Sequence, residues 1–239
     1  MTPAEFSELA ASRHSVRSFH PDPIPEETLQ AIFADARTAP SWSNTRPYML
    51  AIATGERADR LRAAYVRKFT DVLPLLRGEA GAAEKLAAEG KLPDGDFKTW
   101  VEYPAELKKR REELGAAMYQ QLGIAREDAA ARDAHSVNNF RAFDAPVMGF
   151  VFVHQDLLPF SAQDGGLMLQ TLFLSAKAHG VDSCALGVLA TWRSPLAAEF
   201  DIPAGYVLVS GFALGYGTAA AINDFRAERP ELRFIAPKK

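Results

Sequence analysis

Cysteine is almost missing from this chain of 239 residues: Cys184 stands alone, so no disulfide can form within it, and a single thiol fits a reducing, cytoplasmic compartment. Its neighbours in SCALGVLA are small and apolar, which favours a buried hydrophobe over a nucleophile. No apolar run approaches the roughly 18 residues that a membrane-spanning helix requires. The longest candidates, VMGFVFV (147–153) and LMLQTLFL (167–174), have the size of core elements. The opening MTPAEFSELA has neither the basic region nor the apolar stretch of a secretory leader. Positive charge is not in excess either. The net charge is −3, so a protein-wide footprint for nucleic acid or an anionic membrane is excluded and any cationic site must be local.

Several chemical signatures are absent as well. The histidines (14, 20, 135, 154 and 179) form no HExxH and no Cys/His pattern, which argues against zinc. There is no GxxxxGK[ST] loop and no GxSxG elbow, and GFALGYG (211–217) lacks the GxGxxG spacing. Hydrolysis by a serine or a metal thereby loses its usual marks.

What is present is a globular composition, 48% hydrophobic and 24% charged, in a chain long enough for one large domain. Residues 3–11 read as a short helix. In 26–39, Leu29, Ile32, Phe33 and Ala36 fall at i, i+3, i+4 and i+7, with Glu26 and Glu27 in the first turn where the helix dipole favours anions. PSWSNTRP (40–47) is a loop leading into a strand, YMLAIAT (48–54), and a charged helix is expected at 56–69. From about 66–70 to 137 the composition shifts to Ala, Glu and Lys with scattered Gly and Pro, which reads as a helical insertion, too thin in large apolar residues for a second domain. Within it, KKRREE (108–113) reads as a solvated helix face. Beyond it, strands at PVMGFVFV, VDSCALGV and YVLVSGFALGY (206–216) alternate with helices at 165–180 and PLAAEF, suggesting a sheet with helices on both faces.

One short stretch, RHSVRSF (13–19), concentrates cations on an acidic protein. Arg13 and Ser15 project together from an extended turn and Arg17 lies two positions on; guanidinium forks with a hydroxyl match the oxygens of a phosphate. The alternative is a solvated basic turn. NDFRAERPELR (223–233) is a second cationic cluster with the same two readings.

Taken together, RHSVRSF, IPEETLQAIFADARTAPSWSNTRPY (24–48), NNFRAFDAPV (138–147), AHGVDSCALG and FALGYGTAAAINDFRAER resemble the FMN-dependent nitroreductase family, in that family's order. The resemblance covers most of the chain outside about 66–137, and it is strongest to bacterial members acting on nitroaromatic compounds. It implies an α+β, three-layer fold with a central, mostly antiparallel sheet flanked by helices, assembled as an intertwined homodimer. It also implies FMN as cofactor, NAD(P)H as co-substrate and a small aromatic electron acceptor. The alternatives are a quinone or enone reductase on the same fold, or a non-catalytic flavin-binding protein.

Carried over residue by residue, the resemblance makes Arg13, Ser15 and Arg229, with Arg226 and His14 beside them, the holders of the FMN phosphate. It places Arg17 at the flavin N1–O2 edge and Asn138 and Arg141 at the pyrimidine edge. Pro40, Ser41, Trp42 and Asn44 would belong to a loop donated to the partner's flavin. Leu186 and Gly187 would face N5, with Gly187 where many members carry an acidic residue, and Arg46 stands where many carry Gln. Trp100, Tyr103 and Tyr119 in the insertion are candidate substrate-covering aromatics. The flavin performs the chemistry, so no protein side chain is expected to be catalytic.

Overall fold

A computed structural model describes residues 1–238. Helix α1 (Pro3–Ser12) begins at Thr2, whose hydroxyl accepts from the Glu5 N–H while the Glu5 carboxylate accepts from the Thr2 N–H. This reciprocal cap, with Pro3 in the first turn, fixes where the helix starts. Helix α2 (Glu26–Ala36) buries Leu29, Ile32 and Ala36, the stripe expected from its spacing.

The sheet has four strands among the described residues: β1 (Tyr48–Thr54), β2 (Val147–His154), β3 (Asp182–Leu186) and β4 (Tyr206–Gly215). Their order is β1-β2-β4-β3, and every pair is antiparallel. Strand β2 sits inside, and its apolar run has a two-sided cause. Met148, Phe150 and Phe152 enter one core; Val147, Val151 and Val153 enter the other. The first core lies against α3 (Gly55–Leu76) and α6 (Ala129–Phe140), through Leu61, Tyr65, Phe69 and Phe140. The second lies against α2 and α7 (Phe160–Ala178), through Ile32, Met168, Leu172 and Phe173. Two cores around one sheet give the expected three layers of an α+β fold. Gly149 is required where it stands: a Cβ there would lie 2.0 Å from the Phe212 ring, its partner across the ladder.

The sequence reading needs adjustment in the middle of the chain. The charged helix expected at 56–69 runs on as α3 to Leu76 without a break at residue 66, because Phe69 and Val72 continue its buried stripe. Helices α4 (Ala82–Ala88) and α5 (Ala105–Gln121) follow, and α5 buries none of its residues. The segment between them is stitched to the body. Asp94 accepts from the Arg193 and Ser194 N–H groups at the start of the short helix α8 (Ser194–Ala197), and Asp96 accepts from Arg193 and from the Leu208 N–H at 2.6 and 2.7 Å. None of the described helices is long and apolar enough to cross a membrane.

Candidate functional site

The RHSVRSF stretch lies along the free edge of β3. Helix α1 stops at Arg13, whose backbone turns extended, and the chain then pairs with that edge: Ser15 bridges Ser183 in parallel, and the Val16 N–H donates to the Ser183 carbonyl at 3.0 Å. Extended backbone alternates its side chains. Val16 is buried in the core while Arg13, Ser15 and Arg17 line a cavity of about 430 Å3. The spacing Arg-x-Ser-x-Arg thus brings three polar residues to the cavity from an extended edge, and His14 between them lines the cavity as well.

The opposite wall comes from the other end of the chain. After β4, a short 3-10 turn (Ala221–Asp224) places Asn223, and the chain continues to Arg226 and Arg229, which line the same cavity. Asn223 ties the two walls together. Its side-chain oxygen accepts from the Arg17 N–H at 2.7 Å, its amide donates to the Ser18 and Thr218 carbonyls, and its own carbonyl accepts from Arg226 at 2.7 Å. Arg229 donates to the Arg13 carbonyl at 2.9 Å. Both cationic clusters thus converge on one site. Asn223 escaped the sequence reading because its neighbours were weighed as charge, whereas its contribution is neutral and needs Arg17 and Ser18 already in place.

The electrostatics are one-sided. No carboxylate lines the cavity, and among the described residues none of the four arginines makes an ion pair. Burial, then the Arg229 guanidinium, push the Arg13 pKa down. Beneath the segment, burial pushes the Cys184 thiol up to about 11 against opposing pulls from Arg17, Ser15 and Arg13; the thiol is a buried, neutral group. His135 on α6 is pushed down, first by burial and then by Arg17. Uncompensated cations gathered in a partly buried cavity describe an anion site.

Other expected residues are placed apart from this cavity. Arg141 pairs with Asp144 at 2.9 Å, and Asn138 on α6 makes no side-chain hydrogen bond among the described residues. Leu186 ends β3 in the core, and Gly187 opens the following 3-10 turn with open space where a Cβ would stand. The Pro40–Asn44 loop lies against α7: both Asp164 oxygens accept from the Trp42 N–H, and the Trp42 ring packs on Phe160 at 4.2 Å. Arg46 reaches back to the Arg37 carbonyl. The three insertion aromatics are separated. Trp100 meets the Trp192 ring edge-on and Tyr103 lies beneath Arg111. Tyr119 packs against His135, and α5, which carries it, also lines the cavity with Leu114 and donates from Gln121 to the Ala221 carbonyl.

Nitroreductase NfnB of Mycolicibacterium smegmatis is 32% identical over 225 residues, 94% of this chain and 88% of that protein. A 4-nitrobenzoate reductase of Pseudomonas putida is 32% identical over 227 residues, 94% of this chain and 91% of that one. The crystal structure of the FMN-dependent nitroreductase NfnB from Mycobacterium smegmatis in complex with NADPH superimposes with a TM-score of 0.82 at 30% identity, covering 98% of this chain and all of that one. A sequence model described as the nitroreductase family matches residues 10–216, taking in both the strand-edge arginines and the whole sheet: the chain belongs to that family.

Proposed function

We propose that this chain is an FMN-dependent NAD(P)H oxidoreductase that reduces nitroaromatic compounds in two-electron steps. The observation that carries the reading is the cavity where Arg13, Ser15, Arg17, Arg226 and Arg229 converge without a carboxylate among its lining residues. These residues fit a flavin phosphate. Guanidinium forks and a hydroxyl suit its oxygens, and a dianion offsets the mutual repulsion of Arg13 and Arg229. Bound FMN supplies a redox centre able to accept hydride from NAD(P)H and pass electrons to an acceptor.

The chain's own residues hold and orient. Arg13, Ser15 and Arg229 grip the phosphate, with His14 and Arg226 beside them. Arg17 presents a fixed cation that favours the electron-rich form of the ring system over the electron-poor one. Asn138 and Arg141 supply hydrogen-bonding groups for a heterocycle edge, and Arg141 must first leave Asp144. Gly187 leaves an uncrowded approach at the end of β3, beside Leu186, which is buried in the core. The helical segment between α3 and α6 covers the site from one side through α5, which carries Leu114 and Tyr119, and the whole chain forms a single domain. The nitroaromatic acceptor is supported by the relatives named for nitrobenzoate, and NAD(P)H by the relative solved with NADPH. The protein works in the cytoplasm as a homodimer, with the Pro40–Asn44 loop reaching the partner's site.

The test is optical. The purified protein should be yellow, bleach when NAD(P)H is added without oxygen, and regain colour faster with a nitrobenzoate than with a quinone. Arg17→Ala should keep the flavin yet bleach more slowly. A protein that takes up no FMN on reconstitution sinks the reading; one that binds it but never bleaches is a binding protein rather than an enzyme.

A further inference from the structure

We propose that residues 94–100 act as a strap that sets the position of the turn Gly187–Thr191, and that Gly95 and Thr99 are thereby positioning residues for reduction of the bound flavin by NAD(P)H. The inference rests on the flavin-site reading above. Its basis is how fully the strap engages this one turn. The Gly95 N–H donates to the Thr191 carbonyl at 2.9 Å, and the Thr99 and Thr191 hydroxyls share a hydrogen bond of 2.6 Å. Asp94 accepts from the Arg193 and Ser194 N–H groups that follow, and the Trp100 ring stands edge-on to Trp192. Glycine is required at residue 95: a Cβ there would lie 2.1 Å from the Ala190 carbonyl oxygen and 2.9 Å from that of Thr191. Both of those atoms are backbone, so no side-chain rotation makes room for a larger residue.

The body of the fold holds the same turn. Leu189 is buried against Gly211 on β4, where a Cβ would come within 2.7 Å of its side chain, and the buried Tyr65 hydroxyl donates to the Trp192 carbonyl at 3.0 Å. The turn is thus a fixed surface, and the strap supplies the contacts at Thr191. Chain direction puts that surface at the ring end of the site. The arginine segment and β3 run parallel at the Ser15–Ser183 bridge, so the path from Arg13 at the phosphate towards Arg17 is also the path along β3 towards Gly187. At about 3.3 Å per residue, Gly187 lies roughly 13 Å beyond Ser183, a span that the ribityl chain and ring of FMN can cover. Ala185 and Gly187 are exposed there while Leu186 between them is buried, so a planar ring meets nothing larger than a methyl group. Moving the turn moves the surface on which the ring is presented, and a misplacement of about 1 Å is enough to cost about a hundredfold in rate.

The test compares Thr99→Val, which removes the hydroxyl at nearly constant shape, with Thr99→Ser, which keeps it, and with Gly95→Ala. In the flavin-free protein, amide exchange at residues 188–192 should speed up about tenfold in Thr99→Val and keep the wild-type rate in Thr99→Ser. Loaded with FMN and mixed with NAD(P)H without oxygen, Thr99→Val should bleach about fivefold more slowly and Gly95→Ala about tenfold more slowly or worse. The visible circular dichroism of the flavin should change in both, while the Kd for FMN stays within about twofold of wild type because the phosphate-holding arginines are untouched. Thr99→Ser should match the wild type throughout. Unchanged exchange in Thr99→Val overturns the proposal, because the turn then holds itself. Faster exchange with the wild-type bleaching rate and dichroism overturns it too, since the strap then serves stability alone, and so does an equal loss in Thr99→Ser. Thr99→Val decides the matter if Gly95→Ala folds poorly. Failure of the wild type to bind FMN overturns the underlying reading instead.

Discussion

Two residues show what single side chains contribute here. Cys184 was legible in the sequence as a buried hydrophobe, and the structure buries it, but its position under the arginine segment depends on pairing between residues 15 and 183 that no local pattern reveals. Its thiol titrates near 11 when folded against an ordinary value of 9.0. Because the folded state holds this proton more tightly, stability is level below about pH 9 and falls as pH rises from there to about 11, by about 3 kcal/mol. Denaturant titrations across that range should give a shallower alkaline decline for Cys184→Ala than for the wild type; identical slopes would remove the thiol as a cause. Tyr65, also pushed up by burial, contributes to both proteins alike. Asn223 is the opposite case, illegible in advance and central in the fold. In Asn223→Asp, carboxylate oxygens replace the N–H groups that face the Ser18 and Thr218 carbonyls, at a cost of about 3 kcal/mol. The expected result is a lowered Tm and loosened phosphate binding, with Asn223→Gln also impaired because the amide must serve three partners at fixed positions.

At the scale of elements, periodicity carried the reading wherever one face meets a core. Strand β1, helix α2 and the apolar run of β2 follow from their patterns. The reading weakened where backbone conformation is decided by distant partners. Ala142, Phe143 and Asp144 are all left-handed, with φ of 49, 54 and 58°, and Arg62 from α3 donates to the carbonyls of Arg141 and Ala145 on either side of that turn. Nothing in RAFDAP signals such a turn, since none of its residues is glycine. The stretch from Pro40 to Arg46 has the same character: Ser43, Asn44 and Arg46 adopt positive φ, the Ser41 hydroxyl accepts from the Arg46 N–H, and the buried carboxylate of Asp164 on α7 accepts from the Trp42 N–H. Asp164→Ala leaves the Trp42 N–H without its acceptor and lets the strained turn relax. Amide exchange at residues 41–46 should speed up by tenfold or more, with the sheet unaffected; unchanged exchange there would show that the loop holds itself.

On the scale of the whole molecule, the surface around α7 leaves large apolar side chains in solvent. Trp42, Phe160 and Leu167 are 57, 42 and 40% exposed, Met49 on the edge strand β1 is 43% exposed, and the extended tail carries Leu232, Phe234 and Ile235 almost wholly in solvent. Scattered apolar side chains need no explanation, but large ones on one helix and on the loop packed against it mark a surface made to be covered. The homodimer proposed above would cover it with a second copy; the loop is anchored to α7 rather than to the arginine cavity of its own chain. Light scattering on the purified protein should give twice the chain mass of 26.1 kDa. Leu167→Glu, which sets two like charges against each other if α7 packs on its twin, should shift the protein to monomer and cut nitro reduction at least tenfold while the far-UV spectrum is kept. The sequence allowed this expectation only through resemblance, because an interface is a property of two surfaces and one chain records only half of it. A monomeric wild type that reduces its acceptor at full rate would show that one chain builds the site unaided, and the exposed face of α7 would then need another occupant.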